Sequence, residues 1–146
     1  MKRILSACLC FAFSLLVSAQ ENKAFKGYLY NQEYQVYIYM NFYENNIVIK
    51  DQEILGELPG YLGAIRDTRK WLIISTDVIS QNKANLEISN DYGSEDLTAT
   101  LSKEKDGTYL FTQKEGSNIK IVVNRKWVKL PKSLMFVVKK DPLAAH

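Results

Sequence analysis

From residue 25 to residue 139 apolar side chains recur at every second position, and almost no stretch holds the three-to-four-residue spacing of a helix. Phe25, Gly27 and Leu29 alternate with Lys26, Tyr28 and Tyr30; Tyr34, Val36, Ile38, Met40 and Phe42 alternate with Gln35, Tyr37, Tyr39, Asn41 and Tyr43. A strand sends successive side chains to opposite faces, so each run turns one set toward a core and one away. Turn signals punctuate the runs. Asn31-Gln32-Glu33 is short enough for a hairpin, Asn45-Asn46 tolerates left-handed backbone angles, and Pro59-Gly60 suits the centre of a type II turn. Asp106-Gly107 is a strong hairpin signal, and Glu115-Gly116-Ser117-Asn118 closes the next run.

Between these signals the pattern predicts further strands over 47–49, 53–58, 71–79, 83–90, 97–103, 108–113, 119–124 and 133–139. Only 61–70 is helix-like, and it is short. The expectation is an all-β domain over 20–140. Its antiparallel sheet of about nine strands forms a closed or nearly closed, lipocalin-like barrel, with a β-sandwich as the alternative. Closure is favoured because strands this apolar would otherwise present open edges. Residues 141–146 read as a flexible tail.

The first 19 residues read as an address. Lys2 and Arg3 precede an apolar run of 14 residues from Ile4 to Val17, and Val17-Ser18-Ala19 places small residues before a cut at Gln20. The run is shorter than the roughly 20 residues needed to span a bilayer, so it reads as a cleaved signal peptide. Leu5-Ser6-Ala7-Cys8 resembles a bacterial lipobox, but most of the hydrophobic region follows Cys8 rather than preceding it. The expected destination is therefore the periplasm or the exterior, with a lipoprotein the lesser reading. Cleavage removes both cysteines, Cys8 and Cys10, and the mature chain must hold together by its core alone. It also lowers the formal charge from +3 to +1, because the segment carries two basic residues and no acidic one. So small a charge gives no global argument for nucleic acid or an anionic membrane.

The same inventory narrows the chemistry. The only histidine is His146, the last residue, and the mature chain has no thiol. Ser-His-Asp triads, Cys-His pairs and Cys/His zinc sites are excluded, and no phosphate-binding glycine loop is present. The expectation is a protein without a cofactor, a metal or a catalytic residue. Asn90-Asp91-Tyr92-Gly93-Ser94-Glu95-Asp96 gathers three acids on a loop. Calcium binding and carboxylate-dependent hydrolysis are the functional readings of it, and a solvated turn is the simpler one.

Two features suit binding. Arg125, Lys126, Trp127 and Lys129 interleave cations with an indole, a pattern that fits an anionic glycan or an acidic protein surface. The same pattern also fits a soluble strand end. Arg66-Asp67-Thr68-Arg69-Lys70-Trp71 repeats the theme, with Asp67 placed to form a local ion pair. The second feature is aromatic. Six of the nine tyrosines lie in 27–43, and Tyr28, Tyr30, Tyr37 and Tyr39 share the non-core face of one hairpin. Tyrosine presents a large flat ring with little side-chain entropy to lose, which suits a binding surface. An aromatic cross-strand ladder, or burial under a loop, explains the same spacing structurally.

A secreted, cysteine-free, tyrosine- and asparagine-rich small β-protein resembles the uncharacterised exported proteins of Bacteroidota, in style rather than through a diagnostic motif. It is also similar in size to periplasmic inhibitor and immunity proteins, an analogy of fold alone. The functional expectation is a non-catalytic extracytoplasmic protein engaging a glycan or a protein of the cell envelope through the aromatic hairpin face or the Trp127 cluster. The alternative is a lipocalin-like carrier with a small apolar ligand in the barrel.

Overall fold

The computed structural model describes residues 23–140; the leader at 1–19, with both cysteines, and the tail at 141–146, with His146, lie outside the described residues. Ten strands are present: β1 (Lys26–Asn31), β2 (Val36–Asn41), β3 (Gly60–Ala64), β4 (Asp67–Ser80), β5 (Lys83–Asn90), β6 (Asp96–Lys103), β7 (Tyr109–Gly116), β8 (Lys120–Val123), β9 (Lys126–Lys129) and β10 (Ser133–Lys139). Eight of them close an antiparallel barrel in the order β1-β10-β7-β6-β5-β4-β3-β2, and β8 and β9 form a separate hairpin. Apart from that excursion each strand pairs with its sequence neighbour, and β1 pairs with β10 to close the ring. This is the up-and-down connectivity that removes every barrel edge.

An eight-stranded barrel encloses just enough room for its own side chains. Here they fill it. Val36, Ile38 and Met40 of β2 point inward, as their alternation requires, and Phe111, Phe136, Leu62, Leu86 and Leu101 meet them across the axis. One end is sealed by Phe25 stacked on Phe42 at 5.5 Å between ring centroids, with Tyr109 edge-on to Phe25. The Tyr109 hydroxyl donates to the Ala24 carbonyl, tying the N-terminal segment across that opening. The other end is sealed by the β8–β9 hairpin, which lowers Ile119, Ile121 and Leu130 into the core.

The hairpin is held from below by polar clamps. Gln113, buried at the end of β7, accepts from the Ile119 N–H at 2.7 Å and donates to the Pro131 carbonyl at 3.0 Å, gripping both feet of the excursion. Asp67 accepts the Val122 N–H at 2.9 Å, and the Trp71 indole donates to the Lys120 carbonyl at 3.2 Å.

Three local expectations need correction. The helix-like stretch 61–70 is β3, a tight turn and the start of β4. All five residues of β3 are buried, because the core lies on one side and a tyrosine layer on the other, so no alternation is visible in the sequence. The strands expected over 47–49 and 53–58 are instead a loop with one bridge, Ile47 to Leu58, and a single 3-10 turn at Glu53–Leu55. Pro59-Gly60 is no type II turn. Gly60 opens β3, where any Cβ would collide with the Tyr39 carbonyl of β2.

Candidate functional site

The two candidate surfaces lie on different parts of the barrel. Tyr28 of β1, Tyr37 and Tyr39 of β2 and Tyr61 of β3 project outward and form a closed circuit of rings. Tyr28 stacks on Tyr37 (5.3 Å), Tyr37 meets Tyr61 edge-on (6.0 Å), Tyr61 stacks on Tyr39 (6.1 Å), and Tyr39 meets Tyr28 edge-on (6.3 Å). The loop at 44–59 folds over part of this layer: Ile49 and Leu58 are buried with Tyr61 and Leu72, and Tyr37, Tyr39 and Ile47 pack against them. Tyr28 is left 9% exposed and Tyr61 8%. The Tyr37 ring lies over Gly63, where a Cβ would come within 2.6 Å of Cζ, so the glycine makes the seat for the ring. Burial raises the Tyr37 hydroxyl's pKa first, with the neighbouring Tyr61 and Tyr28 adding to the effect. Tyr30 stands apart from the circuit, half-buried, with Lys139 Nζ 5.5 Å from its ring centroid.

The second surface lies at the end capped by β8–β9. Two residues there, Asn124 and Arg125, both take left-handed angles (φ 53° and 65°), the mark of a two-residue type I′ turn. This turn fixes β9 so that Trp127 projects outward, 56% exposed. Arg69 of β4 lies over its ring at 4.9 Å and Lys120 of β8 at 5.1 Å. Arg69 is also paired with Asp67 at 3.4 Å, as the local sequence suggests, and Lys120 with Glu95 at 3.6 Å.

Beside Trp127 a cleft of about 240 Å³ opens, lined by Arg69, Lys70, Asn90, Tyr92, Glu95 and Lys120 among others. Tyr92 is 79% exposed at its rim. The acidic loop is organised from within: the Asn90 carboxamide accepts the Ser94 N–H at 2.9 Å, and Asp91 accepts the Lys70 N–H at 3.2 Å. Asp91 and Glu95 are thus engaged by the protein itself, and no group of three metal-ligating side chains gathers among the described residues.

Three sequence clusters written far apart, 66–71, 90–96 and 124–132, therefore converge at one end of the barrel. Of the sequence candidates, Trp127 lines the cleft, whereas Arg125 lies in the turn above it and Lys126 and Lys129 are exposed along β9. Lys120, Arg69 and Tyr92 belong to the cleft without having been singled out as ligand contacts. Residue 120 comes beside residue 95 because β6 and β7 pair past a bulge out to Leu97 and Gly116, three residues beyond the strand end at 113 that the sequence pattern predicts. Three larger, shallower depressions are also present: two of about 470 and 490 Å³ on the outer face of β4–β7, lined by no aromatic ring, and one of about 390 Å³ beside β1 and β2 that touches Tyr39.

Comparison with protein-family models, with characterised proteins and with solved structures finds no match for this chain.

Proposed function

We propose that this is a non-catalytic extracytoplasmic binding protein whose recognition surface is the cleft at the β8–β9 end. The observation that carries the reading is Trp127, a large ring more than half exposed yet held between Arg69 and Lys120 at the mouth of a cleft. Exposed, pre-oriented aromatic and arginine side chains are what binding hot spots are made of, since little entropy remains to be lost when a partner arrives. The signal-like leader supports an envelope location, where a glycan or a protein is the natural partner.

The tyrosine circuit supports the fold better than it supports binding. Its rings meet one another and the 44–59 loop, which is the arrangement of a cross-strand ladder. The carrier reading ranks behind binding for a similar reason: Phe25, Phe111, Phe136 and Met40 occupy the volume an apolar ligand would need.

The test is a titration of the mature protein with oligosaccharides and acidic peptides, by calorimetry, on the wild type, Trp127→Ala and Tyr28→Ala. Loss of a stacking ring weakens a site by about 1–3 kcal/mol, so Trp127→Ala should weaken binding five-fold or more at an unchanged melting temperature. Tyr28→Ala should bind normally and melt earlier. Binding lost on Tyr28→Ala, with its melting temperature kept, would return the site to the tyrosine face.

A further inference from the structure

In the β8–β9 hairpin the backbone groups of β8 and β9 are directed by position. Leu130 N–H donates to the Ile119 carbonyl at 2.8 Å, so this pair is a hydrogen-bonded one, and Ile121 with Val128 and Val123 with Lys126 follow in register. The intervening pairs, Lys120 with Lys129 and Val122 with Trp127, exchange no ladder bonds. On the β8 side their polar groups turn to the barrel, where Val122 N–H reaches Asp67 and the Lys120 carbonyl takes the Trp71 indole. On the β9 side, the N–H and C=O of Trp127 and Lys129 must point the opposite way, out of the hairpin. β9 pairs with β8 alone. The barrel has no edges, but its lid has one.

That edge carries an uncommon charge pattern. The connection 117–132 contains five basic residues and no acidic one. Trp127 and Lys129 share a face with Lys120 and Val122, while Ile121 and Val128 pack toward the core. Of the acids beside the hairpin, Asp67 and Glu95 are already paired with Arg69 and Lys120, and Asp91 in the cleft accepts the Lys70 N–H. An extended chain laid along β9 would find backbone donors and acceptors at Trp127 and Lys129. It would also meet an indole beside the first of them and cations along its length.

We propose that β9 is a docking edge, to which an extended acidic segment of a partner protein adds as a third antiparallel or parallel strand beside Trp127 and Lys129. The proposal rests on the reading of the Trp127 end as the recognition surface and names the partner that surface takes. Charge complementarity selects an acidic partner, and the outward backbone groups select an extended one.

The probe is an octapeptide of alternating glutamate and threonine with one central tyrosine, titrated into the mature protein. Its control is the same peptide N-methylated at the backbone nitrogens of one edge, prepared in both registers. The unmodified peptide should bind, and one of the two methylated registers should bind about tenfold more weakly. Lys129→Pro deletes an outward N–H without touching a bond to β8, and it should reduce binding comparably while the melting temperature holds. Equal binding by all three peptides would overturn the proposal and leave a charge-only contact. Binding of an acidic oligosaccharide, lost in Trp127→Ala, with no peptide binding would also overturn it while sparing the cleft as a site. Failure of peptide and oligosaccharides alike would remove both readings. If Lys129→Glu merely promotes aggregation and leaves peptide binding unchanged, the lysines guard the edge and the proposal falls.

Discussion

At the scale of single residues the backbone is demanding at Arg125, a long side chain held at φ 65° in the β8–β9 turn. Left-handed angles cost an ordinary L-residue about 1–2 kcal/mol, and glycine is free of that cost. Arg125→Gly should therefore raise the melting temperature by a few degrees; a fall would mean that the guanidinium contributes to the fold more than the turn conformation takes away. Gly63 makes the converse case. Its Cβ would meet the Tyr37 ring, so Gly63→Ala should destabilise by about 1–3 kcal/mol in chemical denaturation, and an unchanged midpoint would show that the ring moves aside freely. The inward set of β2 was legible in the sequence, since Val36, Ile38 and Met40 stand at period 2 with one buried face. The ring circuit was only half legible. Alternation puts Tyr28, Tyr37 and Tyr39 on one face, but it cannot reveal that Tyr61 completes them from a strand buried on both sides.

Among the elements, most barrel strands and β8 of the lid announced themselves, whereas β3 and β9 did not. β5, β6 and β10 run between clear turn signals and alternate buried with exposed positions, so their bounds fall close to those the pattern predicts. β9 is four residues long with two lysines and an exposed indole, a composition indistinguishable from a loop. The stretches 47–49 and 53–58 carry a strand-like pattern for a different reason: Ile47, Ile49 and Leu58 cover tyrosines rather than join the sheet. The lid depends on Gln113. Gln113→Ala would strand the Ile119 N–H and the Pro131 carbonyl, each buried group left unpaired costing about 1–3 kcal/mol. Amides at 119–130 should then exchange with solvent faster than those of β5 and β6. Equal acceleration everywhere would mean that the lid and the barrel unfold as one unit.

The molecule as a whole is a closed barrel plugged at both ends, and its aromatic content ties stability to alkaline pH. Burial raises the Tyr37 and Tyr109 pKa values above the ordinary tyrosine value, and nearby tyrosines add to both shifts. An unfolded tyrosine ionises near pH 10 while these two resist in the fold, so their contribution is full below about pH 10 and is lost as pH rises beyond it. The melting temperature should drop between about pH 9 and pH 11, and less so in Tyr37→Phe; the same drop in both proteins would assign the loss to other groups. The central claim concerns the other aromatic residue, Trp127, and tryptophan fluorescence tests it most directly. The chain has two tryptophans, and both line the cleft, Trp71 buried at 5% exposure and Trp127 exposed at 56%, so a ligand there reports chiefly through Trp127. Titration of the wild type with acidic peptides and oligosaccharides should give a saturable change in emission that is largely lost in Trp127→Phe, with calorimetric affinity falling in Trp127→Ala. Saturable binding that leaves Trp127 emission untouched and survives Trp127→Ala would contradict the account.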